Sequence, residues 1–235
     1  MTPHASALVQ LGIPGLALLV VALVAAAVFG YAGRRQGSWF ALGAAAWLAF
    51  TAVLGLRGFW THFESFPPRM LLLLLPALVL PLRVGLSGTG AALSRAPLAL
   101  LVGFHAFRLP LELVMHQAAA EGVMPPQMSY TGLNFDITTG IGALAVALLA
   151  ARGQAPRWLL LAWNAWGTLL LFVVLAIAVA SLPTFAAFGH EPQRVNTWVA
   201  YFPFVWLPAG LVSAAALGHV VLWRRLWTYG TSGRE

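Results

Sequence analysis

The chain has no cysteine and no lysine, and its six acidic residues face thirteen arginines. Without cysteine there are no disulfides, iron–sulfur clusters or thiolate metal sites. Without lysine there is no Schiff-base retinal, which excludes a rhodopsin; the missing lysine itself reads as coding bias. No HExxH, GxSxG or P-loop occurs, so the common hydrolase and nucleotide-binding signatures are missing as well. Charged residues make up only 8% of the chain, against roughly 25% in an average soluble domain. Apolar residues take their place: 60% of the chain is hydrophobic, with ten Trp and fourteen Phe. A chain of 235 residues with that surface cannot stay in water. It reads as an all-α integral membrane protein whose first partner is the lipid bilayer.

The net charge of +7 does not indicate nucleic acid. The arginines stand singly or in pairs at the ends of apolar runs and form no basic stripe. The opening MTPHASALVQLGIPG lacks a basic n-region and an A-x-A site, so the first span is expected to be retained.

A bilayer core takes about 20 apolar residues per helix. That window predicts a single domain of about seven spans, near 8–30, 38–56, 69–86, 96–117, 136–151, 157–181 and 197–223. With the N-terminus outside, nine arginines fall inside (Arg34, Arg35, Arg83, Arg95, Arg152, Arg157, Arg224, Arg225, Arg234) and three outside (Arg57, Arg69, Arg194). The positive-inside rule therefore predicts N-out, C-in, in a bacterial cytoplasmic (inner) membrane. Prolines 76, 81, 110, 203 and 208 fall inside these spans and are expected to kink them.

The fourth span carries FHAFRLPLELVMH, residues 104–116. At about 100° per residue, His105, Arg108, Glu112 and His116 lie within roughly 80° of arc and climb about 16 Å. Ionisable groups are expensive in hydrocarbon, so this stripe is expected to face the bundle, with Arg108 and Glu112, one turn on, paired or sharing one polar partner. It reads either as a structural ion pair or as the core of a functional site. Five of the six acids fall at the outer half or in outer loops, so any site is expected to open outward.

Other polar residues have plain readings. Asp136 can cap the fifth helix, and Asn196 or Thr197 the seventh. His62 and His190 read as loop residues, and His219 as a snorkelling neighbour of the inner arginines. Trp39, Trp60, Trp158, Trp198, Trp223 and Trp227 read as an interfacial belt. A bis-histidine haem would need His105 and His219 together, and their expected depths differ.

At FRLPLELVMH, GLNFDITTGI and YFPFVWLP the chain resembles a widespread group of uncharacterised bacterial multispan proteins with FRxPxE, NFD and YFPxxWLP segments. The resemblance covers residues 100–225 and implies no activity. It marks Arg108, Pro110, Glu112, Asn134, Asp136, Tyr201, Pro203, Trp206 and Pro208. The Pro-Gln pairs at 126–127 and 192–193 lie in loops without a threefold helix repeat, so they are a weak match to PQ-motif transporters.

Three functional readings follow. One is a small transporter or proton/ion-conducting protein with a substrate- or ion-binding set of His105, Arg108, Glu112, His116, Asn134, Asp136 and Tyr201. Another is an accessory subunit of a membrane complex, or a homo-oligomer. The third is a metal-dependent or redox enzyme with His116, Glu112 and an outer-loop residue around one centre. No cofactor can be named. The sharpest expectation is one outward cavity where the 104–116 stripe, the Asn134–Asp136 turn and the Tyr201–Pro208 segment converge.

Overall fold

One glycine makes the first reversal of the chain. Helix α1 (Ala7–Ala32) opens under Ser6, whose Oγ accepts from Val9 N, and stops at Gly33. Gly33 has φ +88°, a conformation that costs glycine nothing, and α2 (Arg34–Leu56) begins at the next residue. The computed structural model describes residues 5–230, and among them the regular elements are all helical.

After α2 come α3 (Arg69–Leu86), the short α4 (Gly88–Leu93) and α5 (Leu98–Gly103). A 3₁₀ turn, Phe104–Phe107, joins α5 to α6 (Arg108–Ala120); α7 (Ile137–Ala151) and α8 (Arg157–Ala180) follow. The last helix starts as a π-helical run, Leu207–Val212, and continues as α9 (Ser213–Gly230). Helix α3 packs on α9, α5 on α7, α1 on α2, and α8 on α9.

Hydrogen bonds among loops and helix ends define the two ends of the bundle. At one end Ser6 N donates to Glu121 Oε2, Thr184 Oγ1 to Phe63 O, and Gln127 Nε2 to Arg194 O. At the other, Arg224 Nη1 donates to Leu86 O, Arg225 Nη1 to Ser94 O, and Arg157 Nη2 to Leu226 O. These are the Glu121 end and the Arg224 end below.

Helix α1 buries Val9, Ile13, Ala17, Val20, Val24 and Val28, a three- and four-residue spacing that makes one stripe. Its remaining surface is apolar too: Leu11 is 70% exposed, and on α2 Leu56 is 70% and Trp39 67% exposed. Only hydrocarbon solvates such a surface at no cost. Six helical segments are long and apolar enough to cross a membrane, and the chain is a multi-pass membrane protein.

Three sequence expectations change. The span near 136–151 is the 15-residue α7, about 22 Å long, while a hydrocarbon core is about 30 Å thick. The last long helix begins at Leu207, not near 197, because residues 201–205 form turns around Pro203. A proline also disfavours helix in the residue before it. Of the belt tryptophans, Trp60 and Trp198 are instead buried in the core. The Trp60 indole is held by Thr51 O.

A proline inside a helix leaves a carbonyl without its donor, and for Pro81 a side chain supplies one. Pro81 cannot donate to Ala77 O four residues back. Ser213 Oγ donates to that carbonyl instead, at 2.8 Å. Two indoles tie the π-helical run to α2: Trp47 Nε1 donates to Ala209 O, and Trp206 Nε1 to Leu48 O.

Candidate functional site

Pro110 sits in the first turn of α6, where its ring excludes an α-helical bond to Ala106 O. The preceding four residues take the tighter 3₁₀ form, and Arg108 opens α6 at the junction. Arg108 is 1% exposed. Its Nη1 donates to Asp136 Oδ1 at 2.7 Å and to Gly167 O at 3.4 Å. The ion pair is therefore with Asp136, not with Glu112 as the helical period suggested.

Asp136 stands at the N-cap position of α7, but its side chain does not cap that helix. Asn134 organises the turn. Its Oδ1 accepts from Asp136 N at 3.0 Å, while its Nδ2 donates to Met128 O and to both Glu112 oxygens, at 3.1 and 2.9 Å. The amide orientation follows from its partners, because carboxylate and carbonyl oxygens only accept. Glu112, Asn134, Asp136 and Arg108 thus form one buried chain with two carboxylates and a single guanidinium.

Gly140 lets this chain close. A Cβ there would stand 2.6 Å from Leu109 N, so α6 and α7 approach to backbone contact.

Beside the chain lies a cavity of about 60 Å³, lined by Arg108, Glu112, Asp136, Asn196 and Pro208 among apolar side chains. Arg108 Nη2 and Asn196 Oδ1 are buried without a partner. A space of this size with such groups suits a few waters. The π-helical run borders it through Leu207, Pro208, Leu211 and Val212, as such runs often border functional sites.

No family model, curated protein or solved structure matches the chain.

Three of the expected site residues lie elsewhere. His105 is buried one turn towards the Arg224 end, its ring 4.1 Å from that of His219. His116 contacts Ser129 Oγ through Nδ1 at 3.0 Å and stacks on Tyr130. Tyr201 is half-buried in the turns before the π-helical run and does not line the cavity. The stripe keeps one helical face, yet its members meet different neighbours along the axis.

Asn196 is a candidate helix cap for the last span by sequence. It closes α8 instead, with its N donating to Ser181 O and its Nδ2 to Ala178 O. No sequence signal pointed it at the cavity. His219, read as snorkelling, is 2% exposed and bonded to Asn164. His62 and His190 are exposed loop residues.

The three-ligand centre of His116, Glu112 and a loop residue is not assembled. Among the described residues no three His, Asp or Glu side chains gather to hold a metal ion. His105 and His219 do meet, contrary to the expectation of differing depths. Two axial nitrogens must lie about 2 Å either side of a haem iron, and rings whose centroids are 4.1 Å apart leave no slot for the porphyrin.

Proposed function

We propose that this protein moves protons across a bacterial cytoplasmic membrane, through the buried Arg108–Asp136–Asn134–Glu112 chain. One observation carries the reading: two buried carboxylates lie in one hydrogen-bonded cluster with a single guanidinium, beside a small cavity. With both carboxylates ionised, the cluster holds one unbalanced negative charge in an apolar surround, an expensive state. A proton on Glu112, the carboxylate without a cationic partner, removes it. Rare intramembrane acids that face a bundle interior serve proton relays in pumps and transporters.

The same reading has seven crossings, N-out and C-in, with α7 the shortest. Eight described arginines at the Arg224 end, against three at the Glu121 end, support that orientation. The site then opens to the outside.

The test uses purified full-length protein in liposomes that enclose a pH-sensitive dye. A potassium diffusion potential, negative inside, is imposed. Wild type should acidify the lumen and Glu112→Gln should not. Wild-type vesicles that acidify no faster than protein-free ones would overturn the proposal.

A further inference from the structure

Below Arg108, towards the Arg224 end, two histidines are buried with no role in that cluster. The rings of His105 and His219 lie 4.1 Å apart, tilted by 35°. Gly167 and Gly218 make room for them. A Cβ on Gly167 would stand 2.6 Å from His219 Cε1, and one on Gly218 2.6 Å from His105 Nε2.

Asn164 fixes the proton on His219. Its Nδ2 donates to His219 O at 3.3 Å, so its Oδ1 is the atom 2.8 Å from His219 Nδ1. An amide oxygen only accepts, so Nδ1 carries the hydrogen and Nε2 keeps a bare lone pair. That Nε2 is buried without a partner, as are both nitrogens of His105. A neutral His105 carries one hydrogen and one lone pair, so the two rings hold two unpaired acceptors, and acceptors this deep are costly, which calls for an occupant.

Arg108 is the charged group that acts on both rings. Helix α7 offers Thr139, and α8 offers Trp163, Asn164 and Gly167; none of these titrates. The carbonyl of Gly167 accepts from Arg108, so one residue links the guanidinium to the histidine pair.

Charge arithmetic then joins the two sites. Arg108 contributes +1 and the two ionised carboxylates −2, so the buried set becomes neutral with one added proton. That proton can sit on Glu112 or on the histidine pair, with the same total charge. We propose that His105 and His219 form a second proton site in series with Glu112, and that the two sites hold one proton between them in alternation. The step is a pure proton transfer: the Glu112 carboxyl becomes a carboxylate, and Nε2 of His219 or a nitrogen of His105 gains the hydrogen. This deepens the proton-moving reading and rests on it.

Two measurements separate their failures. The first is nitrogen NMR of full-length protein with ¹⁵N-labelled histidine in bilayers, assigned with single-histidine variants. It should show His219 neutral with its hydrogen on Nδ1, exchanging with an imidazolium form of the pair. Glu112→Gln should abolish the imidazolium form, because a proton on the pair would then be unbalanced. The second is the vesicle assay on His219→Gln and His105→Phe, which should conduct no better than protein-free vesicles. If wild type conducts, Glu112→Gln does not, and both histidine variants conduct normally, the second site is wrong and the proposed function stands. If wild type does not conduct, the function fails, and rings that stay neutral in wild type sink the second site as well. Should either variant fail to fold, the wild-type and Glu112→Gln spectra decide.

Discussion

Arg108 reaches across to Asp136, 28 residues away, and leaves Glu112, on its own helix, to an asparagine. The buried cation and the carboxylate proposed to bind a proton are therefore different halves of the network. They should respond differently to substitution.

Asp136→Ala removes the carboxylate bonded to Arg108 and strands a buried guanidinium. The expected loss is about 3–5 kcal/mol of stability, read as a lower thermal midpoint in detergent. The double change Arg108→Met with Asp136→Leu removes both charges and should lose less. A double variant weaker than Asp136→Ala would contradict the pairing.

Glycine 140 should tolerate no side chain. An added Cβ meets the backbone nitrogen of Leu109 at 2.6 Å, and backbone cannot swing aside as a side chain can. Gly140→Ala should part α6 from α7 and lower folded yield, whereas Gly43→Ala, with open space around it, should not. Equal yields of the two variants would refute the close approach.

Ser213 and Pro81 should be coupled. Ser213→Ala leaves Ala77 O without its donor, at a cost of about 1 kcal/mol. In a Pro81→Ala background the restored backbone N–H can bond that carbonyl, and the same serine change should cost almost nothing. Additive losses in the double variant would show that Ser213 does not replace the missing donor.

The tether between the N-terminus and Glu121 should loosen in acid. Hydrogen bonds from Ser6, then from Gln117, hold the Glu121 carboxyl below the usual carboxylate range. A carboxylate whose folded pKa is depressed contributes stability above its unfolded pKa and loses it as pH falls through the folded one. A spin label at Ala5→Cys should be restrained at neutral pH and gain mobility below the ordinary glutamate range. In Glu121→Gln its mobility should not change with pH.

Orientation can be read without background labelling, because the chain has no cysteine. In intact cells an impermeant maleimide should label Gln193→Cys and spare Gln154→Cys. The reverse pattern would invert the proposed topology.

Hydrophobic windows located the apolar helices well, because helix length against bilayer thickness is a composition property. They misplaced the last helix, since Pro203 interrupts an apolar stretch that hydropathy alone cannot divide. Helical periodicity placed Arg108 and Glu112 on an inward face, yet it could not find Arg108's partner. Asp136 occupies the N-cap position read from the sequence, but a helix position does not say where a side chain turns. Asn134 was legible as part of a polar turn, and its grip on both Glu112 oxygens depends on loop coordinates that no period encodes. Asn196 and the His105–His219 contact depend on helices far apart in sequence, where a single chain offers no spacing rule.

The distance between Arg108 and Asp136 along the chain has a consequence for biogenesis. Glu112, Asn134 and Asp136 all follow Arg108 within two consecutive helical segments, and the turn between those segments belongs to the network. A nascent hairpin of α5 to α7 can neutralise its own arginine before α8 is synthesised. The segment then leaves the insertion channel with its charge matched, and the penalty for a lone arginine in acyl chains is never met. Asp136→Ala should accordingly lower the fraction of chains that insert the fourth span, in addition to weakening the molecules that do assemble.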